Sequence, residues 1–466
     1  MSNLLVTPKV HLAFGTCSKL RGLYAQYTLL LSLLVCLCSI GFSKIATADT
    51  FSLEQAVQLA IQHDPLLKGN AYREQGFKAD ADAASYWSNP QMSVSMQNLP
   101  TDGFAIDQEP MSQIKVGFKQ QLPRGDENHY SQKKYQVMAS KVVVENQART
   151  AWVKREVTLA WLNWFHATRR IALLEKEKAL LTQLLDFTES SYSQGVGSTS
   201  QQDILEVRLA LLSLDDKYVQ AYQQRDEAKA AFAQWYGAPL DEHLSAPERL
   251  NVEAVLRESN ISLSSFIAFI DTSEPFLLLQ HHPEAKLFQF RTQVEKQNLN
   301  IAREQTKPQW TLEASYGYRQ DDPSGASRAD FVSLGVHVDL PFFNTPRQDA
   351  SISSAASKVS ASETDFRLKV NELAAKANVL QRRLSALSER KALYETVLIG
   401  ETQQLSEAEL SAYTADTADI NDVVNANLKL VKVQDERLKI DVERAKTLAN
   451  LAYLYLPSRA YTLNKE

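Results

Sequence analysis

Residues 308–341 read PQWTLEASYGYRQDDPSGASRADFVSLGVHVDLP, and residues 90–123 read PQMSVSMQNLPTDGFAIDQEPMSQIKVGFKQQLP. The two stretches are one motif written twice. Pro90-Gln91 recurs as Pro308-Gln309, Gly117 as Gly335 and Leu122-Pro123 as Leu340-Pro341. Upstream, His63-Asp64-Pro65 is matched by His281-His282-Pro283. The lag is 218 residues in every case (63 to 281, 90 to 308, 117 to 335, 122 to 340). Landmarks repeating at one fixed lag mark an internal duplication.

Inside the motif the period is two. Trp310, Leu312, Ala314, Tyr316 and Tyr318 alternate with Thr311, Glu313, Ser315 and Gly317. Val332, Leu334, Val336, Val338 and Leu340 alternate with Ser333, Gly335, His337 and Asp339. Met92, Val94 and Met96 make a shorter set, as do Ile114, Val116 and Phe118. Such alternation predicts strands with one apolar and one polar face. It fits a hairpin of a soluble sheet, and it fits strands with lipid on one side and water on the other. On the second reading the lipid-facing set is Met92, Val94, Met96, Ile114, Val116, Phe118, Trp310, Leu312, Tyr316, Val332, Leu334, Val336 and Val338, and His337 faces the lumen. Segments 100–111 and 319–330 are exposed loops.

Working outward, each strand pair is bracketed by helices. Ser52-Leu53-Glu54-Gln55 is a capping-box start. A second helix opens at Pro65, a favoured first-turn residue, and runs to about Ser88. After the strands, Ile352, Val359, Phe366, Leu373, Leu380 and Leu387 recur every seven residues, with Val370 and Leu384 between them and Leu398 and Leu405 continuing the seam. A sustained heptad predicts coiled-coil packing. Residues 347–410 would make a helix of roughly 95 Å, and 127–190 match them in the first half. Tyr192-Ser193-Gln194-Gly195 and Tyr413-Thr414-Ala415-Asp416 mark turns, and returning helices begin near Gln201 and Ile420, the latter with Val424, Leu428, Val431, Leu438 and Val442 as its seam. Stacked end to end, 65–88 and 201–237 about equal 127–190. His281-His282 is expected to end a helix before Pro283, because adjacent residues do not face one metal site. Trp152, Trp161 and Trp164 are expected to pack a wall.

Tyr27–Phe42 is the one continuously apolar run; Lys9, Lys19 and Arg21 precede it and Ala46-Thr47-Ala48 follows. It reads as a secretory signal cleaved before Asp49, or alternatively as a single membrane anchor. Cys17, Cys36 and Cys38 all fall in this leader, and Val35 and Leu37 are the wrong neighbours for lipidation. The expected organisation is a signal peptide over 1–48, a first repeat over 49–240, a connector over 241–274, a second repeat over 275–457 and a tail over 458–466. The net charge of −5 and the absence of a basic stripe leave no nucleic-acid footprint. Scattered acids without a local acid–base pair give no catalytic residues, no metal site and no cofactor.

The duplicated order of short helix, helix, strand, strand, long helix, turn and shorter helix resembles the TolC outer-membrane efflux family. The resemblance covers essentially all of the chain after the leader. Its most specific residues are the Tyr192 and Gly195 turn leading to Asp203-Ile204-Leu205, the Tyr413 turn leading to Asp422-Val423-Val424, and the proline-marked strands. Gly195 to Ser198 with Gln201-Gln202-Asp203 is also similar to the heavy-metal exporter branch. The resemblance implies a mostly α fold with a small β part. Long coiled-coil hairpins form a tunnel through the periplasm, and four strands join a trimeric, twelve-stranded outer-membrane barrel set in lipid. It implies a homotrimer working with a periplasmic adaptor and an inner-membrane efflux pump, and a passive exit duct rather than an enzyme. It places an acidic periplasmic constriction around Asp416, Asp419 and Asp422. Asn425 stands where a second aspartate is usual, and Asp416 where a turn glycine is usual. The same acids also fit helix starts, where the macrodipole favours them. A periplasmic adaptor or a coiled-coil structural protein of an envelope complex are the rivals; two full copies of the unit argue against the first and the four strands against the second.

Overall fold

The computed structural model describes residues 52–195, 199–235 and 262–463, which lie in one compact unit, Thr50–Glu466. The leader with its cysteines and cleavage site, Val196 to Ser198, segment 236–261 and the last three residues fall outside the described residues.

The fold is mostly α with one small antiparallel sheet. In the first half, α1 (Leu53–His63) and α2 (Pro65–Ser85) precede β1 (Gln91–Gln97) and β2 (Gln113–Gln121), then α3 (Glu127–Gln194) and α4 (Gln201–Ala233). In the second half, α5 (Leu263–Thr272), α6 (Pro275–Leu279) and α7 (Pro283–Glu304) precede β3 (Gln309–Tyr318) and β4 (Phe331–Asp339). They are followed by α8 (Thr345–Leu393), a π turn (Tyr394–Leu398), α9 (Ile399–Thr414) and α10 (Ile420–Leu463). Helix α5 lies inside the expected connector, and α10 continues past Pro457.

Caps explain the helix starts. Ser52 and Gln55 form the capping box of α1. Asp64 caps α2 by accepting from the Leu66 amide at 2.8 Å, with Pro65 in the first turn. His282 occupies the equivalent place before Pro283: its Nδ1 accepts from the Glu284 amide at 3.2 Å. Sequence reading gave this histidine the task of ending a helix. Helix α6 already stops at Leu279, and His282 instead begins α7.

Helix α3 has 68 residues, about 100 Å at 1.5 Å per residue. Helices α2 and α4 line successive lengths of it. Asn70 bonds Asn146 and Asn128 bonds the Tyr86 carbonyl along α2, while Arg170–Gln224, Lys178–Asp215 and Arg208–Glu189 contacts run along α4. With 21 and 33 residues, α2 and α4 together fall short of α3. Helix α1 fills part of the difference, packing Leu53, Val57 and Ala60 against Val153, Val157, Trp161, Trp164 and Phe165 of α3. Trp164 stacks on Phe232 with ring centres 5.7 Å apart.

In the second half, Val370, Leu373, Ala377 and Leu384 of α8 pack against α5, α6 and α10. The heptad seam holds through Leu387 and then slips. Leu405, expected inside, is 37% exposed, and Thr402 and Ser406 are buried in its stead. The π turn causes this: the Ile399 amide bonds the Tyr394 carbonyl five residues back, so one extra residue enters the turn and every later side chain lags by one position.

Candidate functional site

The sheet order is β1-β2-β3-β4, every neighbour antiparallel. The register assembles the alternating residues into rows. Met92, Phe118, Ala314 and Leu334 lie side by side, as do Val94, Val116, Tyr316 and Val332. Leu312 faces Val336, and Trp310 faces Val338. The opposite face carries Ser93, Gly117, Ser315 and Ser333 in one row and Gln91, Lys119, Glu313 and Gly335 in the next.

The burial along β3 is inverted relative to a soluble sheet. Trp310, Leu312, Ala314, Tyr316 and Tyr318 are exposed, while Thr311, Glu313, Ser315 and Gly317 are half-buried or buried. Val332, Leu334 and Val336 on β4 are 75%, 83% and 60% exposed, and Met92, Val94 and Met96 on β1 are likewise open. Ile114, Val116 and Val338 are half-buried. A soluble hairpin puts its apolar face on a core; here, among the described residues, that face has no core beneath it. Trp310 at one end and Tyr316 and Tyr318 at the other flank the band, an arrangement that suits two membrane interfaces.

The polar face is knit across strands. Glu313 lies 3.7 Å from Lys115 and accepts from His337 Nε2 at 2.9 Å. Phe331 is out of place on this face, opposite Gly317; the Arg319 guanidinium covers its ring at 3.9 Å. At the loop end, Arg319 donates to the Pro110 and Ala329 carbonyls, and Arg328 to the Asp107 and Glu109 carbonyls and to Asp322. These two arginines staple the two loops together. At the helix end, Arg124 donates to the Gln305 and Lys307 carbonyls, to Gln309 and to Asp339, tying the two halves where strands meet helices. Sequence reading missed all three arginines, because each acts on backbone carbonyls far along the chain.

The opposite ends of the long helices carry the predicted turns. Gly195 closes α3 in the left-handed region at φ 63°. Asp416, three residues after Tyr413 as Gly195 is after Tyr192, takes the same conformation at φ 59°. The turn is thus conserved in shape without its glycine. Tyr413 packs on Phe187 at 6.1 Å, whereas Tyr192 is 48% exposed. At the next helix starts the halves diverge. Ser200 and Asp203 form a reciprocal capping box on α4. At the matching places stand Asp419 and Asp422. Asp419 accepts from the Asn421 amide at 3.2 Å, the work of an N-cap. Asp422 and Asn425 are exposed on one side of α10, and Val423 and Val424 are buried on the other against α3 and α4. Among the described residues no cation pairs with the Asp422 carboxylate, while Asp203 is spent on its cap.

A polar cluster closes the junction of α3, α7, α8 and α10. His282 Nε2 donates to the Tyr453 carbonyl at 3.1 Å. With Nδ1 accepting, the ring is neutral, and burial holds its pKa down to about 4. Tyr453 donates its hydroxyl to Glu284, which pairs with Lys369 at 2.7 Å. Among the described residues no helix is long and apolar enough to cross a membrane, and no group of three or more His, Cys, Asp or Glu could hold a metal ion.

No family model matches the sequence, and no curated protein matches it. Solved structures do. The outer membrane protein VceC from Vibrio cholerae aligns at TM-score 0.69 and 16% identity, over 86% of this chain and 95% of that one. CusC, described in terms of folding and transmembrane channel formation, aligns at TM-score 0.72 and 14% identity, over 89% and 95%. The CmeC outer membrane channel of Campylobacter jejuni aligns at 0.66 and 11%, over 87% and 86%. The chain has the fold of these outer-membrane channel proteins, the TolC-type fold that its duplicated motif resembles.

Proposed function

We propose that this chain is the outer-membrane channel subunit of a tripartite efflux system, a passive exit duct and not an enzyme. The inverted sheet carries the reading: an apolar band faces outward on four strands whose two outer edges, on β1 and β4, have no partner strand among the described residues. Unsatisfied backbone groups are costly in lipid, so the edges must be closed. Three copies give the twelve-stranded barrel that the family resemblance implies, with the long helices as a periplasmic tunnel. A cleaved leader would deliver the chain, and a periplasmic adaptor and an inner-membrane pump would load it with drugs or metal ions. Asp422, with Asp416, Asp419 and Asn425 near it, would line the narrow periplasmic end. The mass of the detergent-extracted protein tests the proposal. A trimer recovered from outer membranes is expected; a monodisperse monomer, or recovery only in the soluble periplasm, would overturn it.

A further inference from the structure

The slip at the π turn leaves α9 packed on α10 by its polar residues. Thr402 and Ser406 are 5% and 8% exposed. Ser406 donates to Asn427 Oδ1 at 2.7 Å, and Asn427 returns its amide to the Val423 carbonyl at 3.0 Å. The leucine of the heptad is turned outward, as are Val397 and Leu410 at 45% and 41%. The seam hides a serine and an asparagine while it shows a leucine. Removing the extra residue from 394–398 would bring Leu405 to the place of Ser406 and restore the heptad through Leu384, Leu398 and Leu405.

Several features confine this exchange to one stretch. Upstream, a ladder of ion pairs fixes the end of α8, and Glu395 just after it, on α10. Arg390 meets Glu436 at 2.8 Å, Lys391 meets Asp441 at 2.9 Å, and Arg437 meets Glu395 at 2.6 Å. Downstream, Tyr413 is held on Phe187. Between them lies Gly400, around which a side chain would find open space, and a glycine inside a helix weakens it there. Glu401, which would replace Thr402 at the seam, has a stem long enough to carry its carboxylate to water. A π bulge can therefore travel from 394–398 to the stretch between Ser406 and Tyr413 without disturbing either anchor.

We infer that α9 is a two-register element: the π bulge migrates along it, exchanging Thr402 and Ser406 for Glu401 and Leu405 in the seam with α10 and turning that face of the helix by about one residue, near 100°. The inference concerns the helix pair alone and does not rest on the channel reading. A buried polar residue selecting one packing over another is an established use of such groups.

Cysteine labelling tests it in the full chain with Cys17, Cys36 and Cys38 replaced by Ser. The reporters are Thr402→Cys, Leu405→Cys and, as a position buried in both registers, Val423→Cys, each labelled with a water-soluble maleimide. Asn427→Leu removes the partner of Ser406 and offers Leu405 an apolar one. Loss of one hydrogen bond shifts such an equilibrium about tenfold. The Thr402→Cys rate is expected to rise by about that factor in Asn427→Leu and the Leu405→Cys rate to fall, with Val423→Cys still protected. If Thr402→Cys stays protected in Asn427→Leu, or if 402 and 423 become reactive together, α9 has one register that merely loosens and the inference is wrong.

Discussion

Leu334 offers the sharpest test of what surrounds the sheet. It sits on β4 in the middle row, beside Ala314, Phe118 and Met92. The Trp310–Val338 row lies two rows away on one side and Tyr318 two rows away on the other. Its side chain is 83% exposed, so in water a lysine there would touch nothing and cost within about 0.5 kcal/mol. In a bilayer the same position lies near the midplane, where a lysine on a barrel strand costs about 2–4 kcal/mol. Three copies would raise this to about 6–12 kcal/mol per assembly. Ser333→Lys is the control: it is one residue away, also exposed, and on the polar face. Urea titration of protein refolded into phospholipid vesicles, together with the yield of heat-resistant trimer from outer membranes, reads both variants. Leu334→Lys should fail to assemble or unfold at markedly lower urea, and Ser333→Lys should behave as wild type. Equal behaviour of the two would mean that the apolar face meets water or protein, and the membrane reading would fall.

Further outcomes follow from the helix ends and the buried junction. Asp422→Asn should leave trimer yield unchanged but lower cation selectivity in planar-bilayer recordings, since a ring of carboxylates favours cations; unaltered selectivity would leave Asp422 a helix-start acid. Asp416→Gly should stabilise the fold by up to about 1 kcal/mol and so raise the unfolding midpoint, because glycine enters the left-handed region without the Cβ penalty; a lower midpoint would show that the aspartate side chain matters more than the backbone. His282 has its pKa depressed from 6.5 to about 4 by burial, so the folded state binds fewer protons than the unfolded one. Its contribution is complete above pH 6.5 and is lost as pH falls from there towards 4. Thermal unfolding followed across that window should show a smaller acid loss in His282→Asn, which keeps an N-cap but does not titrate; an identical pH profile would place the acid sensitivity elsewhere.

Much of the fold was legible because the signals were periodic or duplicated. The strands were readable from alternation in residues 310–318 and 332–340, and the helix starts at Ser52 and Pro65 from local capping chemistry. The inverted exposure was not readable, since alternation looks the same whether the apolar face meets a core or lipid. The slip at Tyr394–Leu398 was hidden for another reason. Leu398 and Leu405 keep perfect heptad spacing, and the change of phase shows only in the folded chain, in the Ile399–Tyr394 backbone bond, the burial of Thr402 and the Ser406–Asn427 bond. Arg124, Arg319 and Arg328 were silent because each joins distant segments largely through backbone carbonyls, which carry no side-chain signature in a sequence.

The divergence between the two halves shows where chemistry was free to change. Asp64 and His282 stand at equivalent places, and both cap a helix before a proline. Asp64 also meets Arg149 at 2.6 Å, so a charge is paired there, while at His282 the cap is neutral and the charges are handled by Glu284, Lys369 and Tyr453 around it. The requirement at this place is an acceptor for an amide, and either residue supplies one. Gly195 and Asp416 satisfy one backbone conformation in the same way. Ser200 with Asp203 and Asp419 with Asp422 do not: the first pair closes on itself, and the second divides the work, with Asp419 capping and Asp422 left facing outward. Where duplication kept the requirement, a different residue meets it, at Asp416 with the Cβ penalty that Gly195 avoids. Where it relaxed the requirement, one carboxylate was released from the fold, and this is why the proposed function assigns the constriction to Asp422 and not to Asp203.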